Sequence, residues 1–330
     1  MNNSKIILIT SILFCFVSGC RAQSQTNSLQ LVETIPMQNV SGRIDHLCFD
    51  NKNNLVFVAA LGNNTIEVAD LKTKKIIHSI KSLHEPQGVT FIPENNFLIV
   101  ANGANGECDI FNAATFRKTN SIQLGDDADN IRYDASGKIY VGYGNGSMAI
   151  IDATSFKLLK EIKLPGHPES FQIDKQEKRM YVNVPDEQQI DVIDLSKNKI
   201  IAQWKNKIAN ANFPMALDET YHRLFIGCRH PSKLLVLDTE TGKTISSLDI
   251  DGDTDDIFYN APAKEIYVSC GSGYVDVFHQ TDANHYVSNG KMKTASGART
   301  SLYIPQLHQL IVAAPAHVGS DARLIIYRTN

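Results

Sequence analysis

Histidines, carboxylates and amides gather at seven short, evenly spaced segments of this 330-residue chain. They are Arg43-Ile44-Asp45-His46, His84-Glu85-Pro86-Gln87, Asp126-Asp127-Ala128-Asp129-Asn130 and His167-Pro168-Glu169-Ser170, then Asn210-Ala211-Asn212-Phe213, Asp253-Thr254-Asp255-Asp256 and Ala298-Arg299-Thr300. Three chemistries suit such a set. Imidazole nitrogens bind transition metals, and carboxylate and amide oxygens bind calcium or magnesium. His46, His84, His167 and Asp129 are therefore candidate ligands of a divalent metal ion. The same residue types recognise polar ligands without a metal. For that role the candidates are Arg43, Asp45, His46, His84, Gln87, Asp127, Asp129, Asn130, His167, Glu169, Asn212, Asp253, Asp255, Asp256 and Arg299. A histidine near a carboxylate can also act as a general base, which makes His46, His167 and Glu169 the catalytic candidates. The plainer account has the Asp and Asn residues capping turns, with Arg43, Arg132 and Arg299 neutralising what is left.

Other chemistries find little footing. No GxSxG element occurs, and no Ser or Cys stands out as a nucleophile. Gly142 to Gly146 is glycine-rich but lies in a hairpin turn, without the helix that a phosphate-binding loop needs. No CxxC pair supports a structural zinc site.

What positions these segments is a repeat. An apolar strand recurs about every 42 residues: Leu55-Val56-Phe57-Val58, Phe97-Leu98-Ile99-Val100, Ile139-Tyr140-Val141, Met180-Tyr181-Val182, Leu224-Phe225-Ile226, Ile266-Tyr267-Val268 and Leu310-Ile311-Val312. Units of this length with four short strands each predict an all-β, seven-bladed β-propeller. In that architecture the seven polar segments enter the innermost strands and ring one mouth of the central channel. Lysine-rich turns mark the opposite face, so the sequence predicts an acidic mouth and a basic base.

Strands close on Asp70, Asp152, Asp194 and Asp238 with the blade period, which reads as turn capping. The last unit ends at Asn330 without a fourth strand, and residues 29–35 are expected to supply it and close the ring.

The N-terminus has another character. Lys5 precedes the apolar stretch Ile6 to Phe16, and Val17-Ser18-Gly19-Cys20 resembles a bacterial lipobox. The expected organisation is a lipoprotein signal peptide over 1–19, a lipidated Cys20 opening a tether over 20–28, and the propeller over 29–330. Cleavage after Ala22, giving a soluble secreted protein, is the alternative. Cys48, Cys108, Cys228 and Cys270 sit inside strand patterns and are expected as free packing thiols. A formal net charge of −3 and the lack of a basic run argue against a dedicated nucleic-acid binder.

The strings Ile139-Tyr140-Val141, Met180-Tyr181-Val182-Asn183 and Ile266-Tyr267-Val268-Ser269, each followed by a turn and another strand, resemble the YVTN-type propeller repeat. The likeness runs through all seven units and extends to YncE-like bacterial extracytoplasmic proteins. It implies the fold and a place in the cell envelope, but no particular reaction. Nucleic-acid binding occurs among relatives of this type; here only the lysine-bearing base could support it. The single Trp204 disfavours a quinone-cofactor propeller, and no nucleotide cofactor is expected. The sequence thus predicts a monomeric, membrane-anchored module binding a small polar ligand, a cation or a protein partner at its mouth. A metal-dependent hydrolase or lyase in the same funnel is the other reading.

Overall fold

A computed structural model describes residues 28–330 except residue 177. The predicted leader, the lipobox and Cys20 lie outside the described residues. Seven antiparallel four-stranded sheets succeed one another along the chain. Blade three is representative, with strands Ala128–Asp134, Lys138–Tyr143, Ser147–Asp152 and Leu158–Lys163 side by side in sequence order. The innermost strands of the other blades are Leu47–Asp50, Pro86–Ile92, Phe171–Asp174, Asn210–Asp218, Thr254–Asn260 and Thr300–Ile304.

The period-2 pattern explains how the blades stack. In Leu55–Ala60 of blade one every residue is buried. Val56, Val58 and Ala60 pack towards blade seven, whereas Leu55, Phe57 and Ala59 pack towards blade two. Successive strand side chains point to opposite faces, so a strand that is apolar throughout must have a neighbour on both. Seven apolar clusters fill the seven spaces between adjacent blades. Burying each of these Val, Leu, Ile or Phe side chains is worth about 1.5–3 kcal/mol.

The ring closes as the sequence predicts. Gln30–Met37 pairs antiparallel with Ala322–Arg328, with Ile35 opposite Leu324 and Met37 opposite Ala322. Both of those N-terminal residues are fully buried in the cluster joining blades seven and one. The first strand thus completes the last blade and removes an open edge.

On the base, the recurrent aspartates do cap turns. Asp70 accepts the Lys72 N–H at 2.8 Å, Asp152 the Ser155 N–H at 2.7 Å, Asp194 the Ser196 N–H at 2.9 Å and Asp238 the Thr241 N–H at 2.9 Å. The four cysteines are unpaired; Cys108, Cys228 and Cys270 are buried and Cys48 is partly so. No helix among the described residues is long and apolar enough to cross a membrane.

Candidate functional site at the channel mouth

Each innermost strand carries its polar entry residues to one end of the channel, where no water-sized separation is left between some backbones. Gly88, in blade two, illustrates the constraint: a Cβ there would lie 2.0 Å from the Asp129 carbonyl oxygen of blade three. Gly271 does the same for Asp253, whose carboxylate would lie 2.1 Å from an added Cβ. At Gly88 the close atom is main chain, so glycine there is a packing requirement; at Gly271 it is the Asp253 side chain, which an added methyl group would push aside.

Two clusters result. The first joins blades one, six and seven with an arginine from blade five. Arg43 donates to Asp45 at 2.6 Å, and Asp45 is almost wholly buried. His46 lies between Asp45 at 3.7 Å and Asp256 at 3.5 Å. Asp256 also accepts the Ser301 N–H at 2.8 Å. Asp255 receives Arg229 at 2.5 Å and Arg299 at 3.2 Å, and Arg299 reaches Asp253 at 2.9 Å. The Arg229 guanidinium also stands 3.9 Å from the centre of the Phe213 ring, a cation–π contact.

The second cluster joins blades three and four. His167 Nδ1 lies 2.7 Å from the Gly144 carbonyl oxygen, and its Nε2 faces Asp129 at 3.6 Å. Asp127 is 3.6 Å from Nδ1 on the outer side, held by Gln87 Nε2 at 2.9 Å. Donor atoms of Asp129, His167 and Glu169 all fall within 4.8 Å of one another. Glu169 is fixed through its main chain, its N–H donating to Asn183 O at 3.0 Å. Its carboxylate makes no hydrogen bond to any described residue.

The electrostatics follow from enclosure. Burial opposes a charged His46, but the Asp256, Asp45 and Asp129 carboxylates outweigh it and push its pKa up to about 10. Burial raises Asp45 to about 7 against the pull of His46 and Arg43. For His167, burial is again overcome, here by Asp129 and the Gly144 carbonyl, and the pKa rises to about 9. Glu169 is driven well above the carboxylate range by burial and by the Asp129 and Asp255 charges. Asp129 goes the other way: burial is beaten by His167, His46 and Arg43, and it stays ionised.

The candidates from sequence fall into distinct places. Arg43, Asp45, His46, Asp255, Asp256 and Arg299 meet in the first cluster, with Asp253 at its rim. Asp127, Asp129, His167, Glu169 and Gln87 meet in the second. Asn130 is buried and accepts Arg132 Nη2 at 3.2 Å. Asn212 is buried between blades four and five, donating to Asn183 Oδ1 at 2.9 Å. His84 is exposed and joins neither cluster. Of the four metal candidates from sequence, the triad keeps Asp129 and His167; His46 is spoken for by Asp256 and Asp45.

The mouth is also less acidic than its composition suggests, because arginines close on the carboxylates. Arg229 joins the site although the sequence did not single it out. Its blade has longer strands, Asn210–Asp218 and Arg223–His230, which carry it inward to Asp255.

No family model matches the sequence, and no curated protein matches it. The fold is well represented among solved structures. A chain in the crystal structure of the mitotic checkpoint complex superposes with a TM-score of 0.76 at 13% identity, over 100% of this chain and 99% of its own. A chain of the hydrazine synthase of Kuenenia stuttgartiensis gives 0.73 at 13% identity, over 89% and 99%. The molecule is a seven-bladed β-propeller. Likeness at this identity speaks for architecture alone.

Proposed function

We propose that this chain is an exported, YVTN-type propeller, anchored to a bacterial membrane through lipidated Cys20, that binds a small polar ligand at the channel mouth. The observation carrying this reading is the Glu169 carboxylate. It lines the channel beside Asp129 without a hydrogen-bond partner, although its neighbours in the first cluster are ion-paired. A buried or half-buried polar group is costly to leave unmatched, and a ligand carrying a positive charge or donor would match it. Export and anchoring rest on the Lys5, Ile6–Phe16 and Val17-Ser18-Gly19-Cys20 pattern.

The reading is tested by thermal shift of the full chain against a panel of small cationic and polar compounds. A ligand that raises Tm in the native protein and loses its effect in Glu169→Gln supports it; a panel without effect counts against it. Cys20→Ser should move the protein from the membrane fraction to the soluble one, and retention at the membrane would remove the anchor. The second reading is a metal-dependent hydrolase or lyase. The nearness of His167 to two carboxylates favours it, and it requires turnover that disappears with His167→Ala.

A further inference from the structure

We propose that Asp129, His167 and Glu169 bind one divalent transition-metal ion, with its open coordination positions facing the channel. The inference rests on reading the mouth as a binding site and names the class of its ligand. Three observations converge. Donor atoms of all three residues lie within 4.8 Å of one another, on two adjacent blades. His167 Nδ1 donates to the Gly144 carbonyl at 2.7 Å, which fixes the ring and leaves Nε2 as the atom turned to Asp129. Metal-binding histidines are characteristically held this way through their other nitrogen. The Glu169 carboxylate, meanwhile, is half-buried and accepts no hydrogen bond from a described residue, although its main chain is pinned at Asn183.

The spacing accommodates a shared ion. His167 Nε2 and Asp129 Oδ2 are 3.6 Å apart, longer than a hydrogen bond. Two donors bonded at about 2.0–2.1 Å to a tetrahedral ion are separated by about 3.4 Å. The pair thus has a spacing that two ligands of one ion would have, close to that of the His46–Asp256 ion pair. The carboxylates of the first cluster are already matched: Asp45 by Arg43, Asp256 by His46, and Asp253 and Asp255 by Arg299. One imidazole and two carboxylates suit ions such as Mn2+, Fe2+ or Zn2+ better than Ca2+, which takes about 6–8 oxygens. Gly88 keeps the site in register, since any side chain there would displace the Asp129 main chain.

The test uses the full chain, stripped with chelator and titrated calorimetrically with Zn2+ and Mn2+, with Mg2+ as the hard-ion control. One Zn2+ or Mn2+ per chain is expected, weakened at least about tenfold in Glu169→Gln and in His167→Ala, and unchanged in His84→Ala. If His167→Ala fails to fold, as circular dichroism would show, Glu169→Gln carries the test alone. Absence of binding, or binding indifferent to Glu169→Gln, overturns the site. If metals do nothing while an organic ligand stabilises the protein through Glu169, the binding mouth stands and the metal falls. If neither binds, both readings fail.

Discussion

The two ends of the propeller use the same side chain for opposite ends. At the base, Asp70, Asp152 and Asp238 accept turn N–H groups in or near solvent, and those hydrogen bonds bring their pKa below the usual value, against a burial contribution that is largest of all for Asp70 and Asp238. At the mouth, burial raises Asp45 and Asp255; His46 and Arg43 of the same segment restrain Asp45, whereas Arg229 and Arg299 of other blades restrain Asp255. The difference lies in where the partners come from. A base aspartate is matched by residues two or three positions along the chain, whereas Asp255 is matched by Arg229 and Arg299 of the flanking blades. Local matching survives most changes elsewhere; matching across blades depends on the closed ring.

The strongest way to break that comparison is to open the ring. Deleting residues 29–37 removes the strand that completes the last blade, including buried Ile35 and Met37, and should abolish cooperative unfolding in a denaturant titration. A variant melting cooperatively near the native Tm would mean that closure is dispensable.

Next in size are changes within the mouth. Gly88→Ala places a Cβ 2.0 Å from the Asp129 carbonyl and should cost about 1–3 kcal/mol by urea unfolding. Arg229→Ala leaves Asp255 with Arg299 alone and removes the cation–π contact on Phe213, for about 2 kcal/mol. Unchanged stability in either would show that the mouth relaxes freely.

A pH series sharpens the contrast. The folded pKa of His46, at about 10, lies above its ordinary value of 6.5, so its stabilising charge is fully present below pH 6.5. That contribution is lost as pH rises through 10. Asp256, Asp45, Asp129, Asp255, Arg43 and Arg132 all act around it, and His46→Gln should flatten the decline of Tm between pH 7 and 10. The same slope in both proteins would assign the decline to other groups. The smallest effect belongs to the base: Asp152→Ala should lower Tm less than half as much as Arg229→Ala and leave the pH 7–10 slope alone. A larger drop would erase the distinction between local and inter-blade matching.

How much was legible differs between these regions for one reason, the range of the interactions. Apolar runs such as Leu55-Val56-Phe57-Val58 reveal a strand buried on both faces, and their recurrence reveals the blades. The missing fourth strand of the last unit pointed to residues 29–35, because an edge needs covering. Turn aspartates are readable because their partners lie within three residues.

Spacing also carried His46, His167 and the acidic residues to one end of the channel, but it could not assign partners there. His84 occupies an equivalent entry segment, yet it is exposed, while Arg229 reaches Asp255 because its strands run longer. The 42-residue repeat and the alternation of side chains are properties of the chain itself, and they determined the architecture. Which imidazole faces which carboxylate depends on angles and strand lengths summed around a closed ring, so only the tertiary structure decided that Asp129, His167 and Glu169 stand together while His46 is taken by Asp256.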